Sequence, residues 1–514
     1  MSRTFMGVDI GTYSAKGVVL DESGALLAHV EKAHELSVPA PGQAEHDAEK
    51  TWWGGFVAVC RELLAQDGVD SGRVAAVGCS AIAPAVVPLD VHGYALRPAI
   101  LYGIDVRAEE EIRFLNATLG EERIRARTGA SLSSQSAGPK ILWLARHEPD
   151  VVEKTATFAS ATTFLVQRLT GRLALDRYTA TAFAPLFNVH DLAWDAELAE
   201  PVCSPDRLPE LFWTTDVVGH VTPWASQATG LPKGVPVIAG TADAAAEAVS
   251  AGASRVGDLM VMYGSSGFFI LLTGQLGAST TLWPAVWLQP GQSVLTAGSS
   301  TSGALLKWFL AELDAPTEGA SEEAALGALN ALAAGVPAGS EGLVVLPYFS
   351  GERTPIRDAR ARGVIAGLSL RHGRAHLYRA FLEATAYAIR DNVEAMRAEG
   401  EPIERVLSVG GGTRNRLWLQ IVSDVTGLEQ HVPAQEGGAA LGDAFLAALG
   451  VGAVAELSAI ARWLGSYERV RPDMEIHSAY EAYFRVYRDL YRSSAREVHE
   501  LAALAGRPGW KLGG

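Results

Sequence analysis

One pattern occurs twice in this chain, and it limits what the chain can fold into. Phe5-Met6-Gly7-Val8-Asp9-Ile10 is an apolar run broken only by Gly7 and Asp9. A small polar turn, Gly11-Thr12-Tyr13-Ser14-Ala15-Lys16, follows, and Gly17-Val18-Val19-Leu20 runs back to a second turn at Asp21-Glu22-Ser23-Gly24. Two apolar strands around a polar turn predict a β-hairpin. The order returns from Gly257 to Leu272, where Leu259-Met260-Val261-Met262 and Phe268-Phe269-Ile270-Leu271-Leu272 flank Tyr263-Gly264-Ser265-Ser266-Gly267. One such hairpin in each half predicts a duplicated architecture whose halves hold a polyphosphate between them. Gly11 lets backbone amides approach an anion closely, and Thr12, Ser14 and Lys16 add donors there. Asp9 stands in an apolar strand, where a carboxylate needs a partner or a metal.

A chain of 514 residues is too long for one hydrophobic core and predicts two large domains, with the boundary near 251–256. It is 48% hydrophobic but has no apolar run long enough to span a bilayer. Met1-Ser2-Arg3-Thr4 runs straight into the first strand, so no signal peptide is expected. A net charge of −15 argues against nucleic acid as a partner. Cys60, Cys79 and Cys203 form no CxxC pair and read as buried thiols of a reducing cytoplasm.

Four other stretches invite chemistry. Ala99-Ile100-Leu101-Tyr102 reads as a strand, with Asp105-Val106-Arg107 opening an acidic helix. That is a polyol-gripping pair or, more plainly, an Asp105 helix cap beside a solvated Arg107. Val235 to Gly240 is a buried strand, after which Thr241-Ala242-Asp243-Ala244 starts a helix of small residues. Asp243 is either its N-cap or a carboxylate projected into a cleft at a strand-to-helix junction. Val406-Leu407-Ser408-Val409 leads into Gly410-Gly411-Gly412-Thr413-Arg414-Asn415, a backbone shelf that suits an adenine and its ribose. Ser302-Gly303-Ala304 starts a further helix, and His376 to Met396 a long amphipathic one. His46 reads as a surface or capping residue and Lys140 as an exposed helical lysine, while residues 176–235 yield no chemistry.

Taken in order, these segments resemble the FGGY carbohydrate kinases, the actin-like sugar kinases that include the glycerol, gluconate and xylulose kinases. The two hairpins are similar to that family's phosphate-binding hairpins. Gly240-Thr241-Ala242-Asp243 is similar to its G-T/S-x-D segment, and Leu346-Pro347-Tyr348-Phe349-Ser350-Gly351-Glu352-Arg353-Thr354-Pro355 to the LPYxxGERTP loop of xylulose kinases. The resemblance implies an α/β chain of two actin-like (ribonuclease H-like) lobes, each a mixed sheet flanked by helices, with a cleft between them. An N-terminal lobe, 1–250, would bind the sugar and hold the base, and a C-terminal lobe, 251–514, would bind the nucleotide. ATP and Mg²⁺ are the implied cofactors. Asp243 would be the catalytic base, and Asp9, through water, and Asp243 would hold Mg²⁺. Gly11, Thr12, Ser14, Lys16, Gly264, Ser265, Ser266, Gly303, Gly411, Gly412 and Asn415 would bind the nucleotide. Ala83, Pro84, Tyr102, Asp105, Arg107, Asp243 and Ala244 would line the sugar pocket.

The pattern also departs from the family. Gln43 and Tyr102 replace tryptophans. Ala83-Pro84 falls where xylulose kinases carry Met-His, and Ala244 where they carry Asn. Asp443 and Gly438 vary the E-x-x-A-L-G-A-A helix. D-xylulose is the first guess for the acceptor, but the lost polar groups predict either a poor xylulose kinase or a preference for ribulose, gluconate, erythritol or a related polyol. A small-molecule partner and a cytoplasmic location follow, with no nucleic acid or membrane partner and a homodimer left open. No lysine directly follows a glycine, so a Walker A loop is absent, as are an early GxGxxG, HExxH and G-x-S-x-G. From a different class, a non-kinase actin-like ATPase would share the hairpins and the shelf but would need no sugar site.

Overall fold

The computed structural model describes residues 3–313, 321–435 and 437–505. They form two compact units, neither of them one continuous stretch. The first runs to Val256 and adds Leu272–Leu295 and Ala434–Gly465. The second takes Gly257–Leu271, Thr296–Pro433 and the chain from Ser466. This differs from a single cut near 251: a helix-bearing segment far along the chain belongs with the first unit.

The first unit is built on the strands β1 (Thr4–Ile10), β2 (Ser14–Asp21), β3 (Leu26–Ala33), β4 (Val74–Ala81), β5 (Val217–His220) and β6 (Pro236–Ile238), in the order β5-β6-β4-β1-β2-β3. β1 and β2 are antiparallel, as the hairpin pattern predicts, while β1 and β6 both run parallel to β4. Every residue of β1 is buried, which is why a continuous apolar run, without alternation, marks it. At the edge, β3 alternates and carries Glu31 and Lys32, charges that blunt an open strand.

The second unit repeats the plan with β7 (Asp258–Tyr263), β8 (Gly267–Thr273), β9 (Ser293–Ser299), β10 (Arg405–Val409), β11 (Gln430–Pro433) and β12 (Tyr467–Val470). Their order is β9-β8-β7-β10-β11-β12. Again an antiparallel hairpin sits beside a parallel neighbour: β7 pairs antiparallel with β8 and parallel with β10. Both sheets are mixed and flanked by helices, so the expected duplicated α/β architecture is present.

Five helices matter below: α1 (Gly54–Leu64), α2 (Ala137–His147), α3 (Asp243–Ser250), α4 (Gly303–Leu313) and, near the end of the first unit, α5 (Gly438–Gly450). α1 buries Phe56, Val59, Cys60 and Leu63, one stripe of a helix, into the first core with Trp52 and Phe164. Residues 176–235, silent in the sequence, contribute Phe183, Leu186 and Phe187 to a second apolar cluster with Ile141 and Leu144 of α2. No helix among the described residues is long and apolar enough to cross a membrane. Cys60 and Cys79 are buried and Cys203 partly so, all three without a disulfide.

Candidate functional site

Three strand ends of the first sheet align. Register pairs Asp9 with Ser80 and Ile10 with Ala81, and on the other side Thr241 with Ser80 and Ala242 with Ala81. The chain therefore leaves the sheet at one edge three times: as the Gly11–Tyr13 turn, as the segment holding Ala83 and Pro84, and as Asp243 opening α3. Carboxyl ends of strands are where open α/β sheets place their ligands. Asp243 is not the cap of its helix, since Ala242 occupies that position; its Oδ1 accepts from the Ala244 amide at 2.8 Å.

A helix from much later in the chain completes this edge. Gly7 and Gly78 are cross-strand partners, and α5 lies directly on them. A Cβ on Gly7 would sit 1.9 Å from the Ala440 carbonyl oxygen, and one on Gly78 2.3 Å from that of Asp443. Only glycine permits that approach, and it brings Asp443 to the strand ends. Ser80 Oγ then lies 3.0 Å from Asp9 Oδ1 and 2.7 Å from Asp443 Oδ2. A hydroxyl carries one proton, so one of the two carboxyls supplies the second. Asp443 Oδ1 is buried without a partner.

The electrostatics agree. Burial pushes the Asp9 carboxyl up to about 6, against the bond from Ser80 and the charge of Lys16. Burial, then the charge of Asp9, holds both Asp243 and Asp443 well above the usual carboxylate range. Burial with Asp9 likewise raises Glu247, one helical turn from Asp243, to about 7. Four carboxyls thus share a region that resists four negative charges. Among the described residues no group of three or more His, Cys, Asp or Glu side chains is placed to hold a metal directly. Carboxylates that act through water suit Mg²⁺, which keeps much of its hydration shell.

The other expected residues of this unit are mostly engaged. Gly11 N donates to Ser14 O at 2.9 Å, and Thr12 Oγ1 meets the Tyr102 hydroxyl at 2.9 Å. Lys16 pairs with Glu31 at 3.3 Å, and Ser14 also bonds Glu31. Asp105 caps no helix, because the next one begins at Glu109. It is fully buried and accepts from the Ala44 amide at 2.7 Å and from the Arg107 guanidinium at 2.8–3.0 Å. Arg107 is not solvated: its side chain is 3% exposed, also pairs with Glu45 at 2.8 Å, and lies over Trp143. Ala83 and Ala244 are half-buried and Pro84 is buried.

Two expectations are overturned. Lys140 is not exposed: it is 1% accessible, donates to Ser134 O at 2.6 Å, and burial lowers it to about 7. His46 is neither a surface nor a capping residue. It is buried, accepts at Nδ1 from Trp52 Nε1 at 3.1 Å, and packs edge-on to His34, whose Nε2 lies 3.1 Å from Gly11 O. Burial lowers His46 to about 4. Reading the sequence also missed Ser80, Glu247 and Asp443, and Asp176, whose Oδ2 accepts from Thr241 Oγ1 at 2.9 Å just before Asp243. A lone aspartate inside GAALGDAFLAAL was the available signal, since an acid in so apolar a helix needs a partner.

In the second unit, Gly264-Ser265-Ser266 is the turn of the β7–β8 hairpin, and α4 begins against it. Gly303 N donates to Gly264 O at 2.9 Å, and a Cβ on Gly303 would sit 2.8 Å from that oxygen. The glycine shelf adjoins the same hairpin: a Cβ on Gly412 would sit 2.8 Å from that of Tyr263, whereas Gly411 faces open space. Asn415 caps the helix Arg416–Thr426 by accepting from Trp418 N at 3.1 Å, and its amide donates to Asn330 at 2.9 Å.

Residues 4–250 match the N-terminal domain of the FGGY family of carbohydrate kinases, and residues 259–451 its C-terminal domain. The chain is 30% identical to a xylulose kinase of Escherichia coli, covering 95% of this chain and 98% of that one. It is 31% identical to a glycerol kinase of Nocardia farcinica, covering 88% and 91%. The crystal structure of xylulose kinase from Rhodospirillum rubrum superposes with a TM-score of 0.88 at 34% identity, over 97% of this chain and 100% of that one.

Proposed function

Since the chain belongs to the FGGY family of carbohydrate kinases, we propose that it transfers the γ-phosphate of ATP to a hydroxyl of a small ketose, with D-xylulose the first candidate. The observation that carries this reading is the placement of Asp243: a carboxylate at a strand-to-helix junction, bonded to a single amide and held at a high pKa by burial and Asp9. A base of raised pKa within reach of a hydroxyl is what phosphoryl transfer to an alcohol asks of the protein, beyond positioning and charge neutralisation. Asp243 would take the hydroxyl proton. Mg²⁺, held through water by Asp9 and by Asp243, would neutralise charge on the phosphates. The amides of Gly11–Thr12 and of Gly264–Ser266 would bind those phosphates, and Gly303, Gly411, Gly412 and Asn415 would support the nucleotide. Residues 1–250 would thus serve the sugar and lend one phosphate turn, and the second unit, with Gly264–Ser266, Gly303, Gly411, Gly412 and Asn415, would serve the rest of the ATP. Asp105 and Arg107 are so fully paired that we assign them to bracing the wall of the sugar pocket, with Thr12 and Tyr102 nearer its polar lining. A cytoplasmic location and the absence of nucleic acid and membrane partners go with this reading.

Identity alone does not choose the sugar, because a glycerol kinase matches about as well as a xylulose kinase. Ala83, Pro84 and Ala244 would line the pocket, where the resemblance implies a methionine, a histidine and an amide. Each lost partner of a buried hydroxyl costs about 1–3 kcal/mol. A coupled kinase assay over ketopentoses, polyols and aldonates tests the reading. Sugar-stimulated ATP consumption is expected, with D-xylulose improved by Pro84→His combined with Ala244→Asn. Faster turnover of ribulose, gluconate or erythritol would reassign the acceptor. ATP hydrolysis indifferent to every sugar would favour an actin-like ATPase that is not a kinase.

A further inference from the structure

The loop Leu346–Pro355 has no part in the chemistry proposed above, yet its side chains converge on one target. Glu352 Oε1 accepts from the amides of Ser300, at 2.6 Å, and Arg353, at 2.7 Å. Arg353 Nη2 donates to the carbonyl oxygens of Ser299, at 2.5 Å, and Gly267, at 3.2 Å. Thr354 Oγ1 accepts from Gly298 N at 2.8 Å, and Thr354 N donates to Gly298 O at 3.1 Å. Thr301 Oγ1 donates to Pro347 O. The loop therefore holds the backbone of Gly298, Ser299 and Ser300 and the side chain of Thr301. A Cβ on Gly298 would lie 3.0 Å from the Arg353 guanidinium carbon, so the two pack without a gap.

The held segment grips the hairpin turn in its own right. Ser302 N and Ala304 N donate to Ser265 O at 2.9 and 3.0 Å, Gly303 N donates to Gly264 O at 2.9 Å, and Gly267 N donates to Ser299 Oγ at 3.1 Å. A trans peptide is planar, with its N–H directed opposite to its C=O. Pinning the oxygens of Gly264 and Ser265 against the start of α4 therefore turns the amides of Ser265 and Ser266 the other way. Recognition of an anion by backbone amides depends on that orientation being fixed before the ligand arrives.

We propose that Glu352 and Arg353 are positioning residues for nucleotide binding. Through Gly298–Ala304 they fix the direction of the Ser265 and Ser266 amides, and so set ATP affinity without touching ATP. This rests on the assignment of the Gly264–Ser266 turn to the phosphates. Arg353 suits the task because Nη2 alone reaches carbonyls on two strands, and the rigid planar guanidinium keeps that nitrogen in place where a lysine ammonium on its flexible stem would first have to be ordered. Glu352 needs only an acceptor oxygen, so a glutamine can stand in for it.

The test measures Kd for ADP and ATP by calorimetry, KM for ATP and for the sugar, and thermal midpoints. Arg353→Lys and Glu352→Ala are each expected to raise Kd and KM for ATP about tenfold, leaving sugar binding without nucleotide unchanged. Glu352→Gln is expected to restore nucleotide affinity to within about threefold of wild type. A loop that matters for folding alone would lower the thermal midpoint and the active fraction while leaving KM for ATP as it was, and that result would overturn the inference. Gly264→Val, which crowds the turn directly, separates the two levels. If it weakens ATP while Glu352→Ala and Arg353→Lys do not, the buttress is refuted and the phosphate turn stands. If Gly264→Val also leaves ATP binding intact, the phosphate assignment itself fails.

Discussion

Asp243 is the residue on which the proposed chemistry turns. Asp243→Asn keeps the shape and loses the base, so kcat is expected to fall by roughly 10²–10⁴ with little change in ATP affinity; a variant with half the wild-type kcat would remove Asp243 from the mechanism. Asp443 offers a separate test. Its folded pKa is well raised, so at pH 8 the unfolded chain holds it ionised freely while the folded chain must bury the charge or take up a proton. Asp443→Asn removes that cost and keeps an N–H for Ser80. Its thermal midpoint at pH 8 is expected to exceed that of wild type, with the gain shrinking at pH 5, and a fall at pH 8 would show the carboxyl to be stabilising. Legibility at this scale followed local context. Asp243, Gly11 and Gly264 stand at junctions that a strand-turn or strand-helix pattern marks directly. Lys140 and His46 do not: what buries them, Asp105 and Arg107 around the one and Trp52 and His34 around the other, is tertiary.

At the scale of elements, both hairpins, the start of α3 and the strand before the glycine shelf were legible because each is marked by a short apolar run closed by glycine or a polar turn. The return of α5 to the first unit was not. Ser80 and Asp443 are 363 positions apart, and nothing in either segment alone names the other. In hindsight the glycines carry the information, since Gly7 and Gly78 leave a smooth patch that only a closely approaching backbone would fill. Gly78→Ala puts a methyl 2.3 Å from the Asp443 carbonyl oxygen, and it is expected to destabilise by about 1–3 kcal/mol and to lower kcat by moving Asp443 and Ser80. Gly327→Ala is the control. That glycine lies exposed in the helix Glu322–Ala334 with nothing within 4 Å of the added methyl, so helix propensity is expected to raise stability by up to about 1 kcal/mol. Calorimetry of the two variants side by side checks both signs.

At the scale of the whole molecule, the duplicated sheet places acids where water is scarce, and this gives stability a pH dependence of definite sign. Burial raises Asp9, Asp176 and Asp391 to about 6 and Glu247 and Glu352 to about 7. Unfolded, the same groups titrate near 4. Between these limits the folded protein binds more protons than the unfolded one, so these groups make stability fall as pH rises from about 5 to 7.5. Four groups oppose them. Burial lowers His46 to about 4 and His34 and His431 below their usual range, so each costs stability as pH falls below about 6.5. Lys140, lowered to about 7, favours the folded state as pH rises above that. With Asp243 and Asp443 added to the raised carboxyls, they outnumber the four opposing groups and leave a net gain on acidification. The protein free of metal and nucleotide is therefore expected to melt higher at pH 6 than at pH 8, by differential scanning calorimetry in buffers of matched ionic strength. Mg²⁺ with ATP should narrow the difference, because a cation that neutralises Asp9 and Asp243 stabilises their charged forms and lowers their pKa values. A midpoint that climbs steadily from pH 6 to pH 8 would mean that the carboxyls at the strand ends are ionised and solvated in the folded protein. The acidic edge would then be a solvated surface, without the raised base on which the proposed transfer depends.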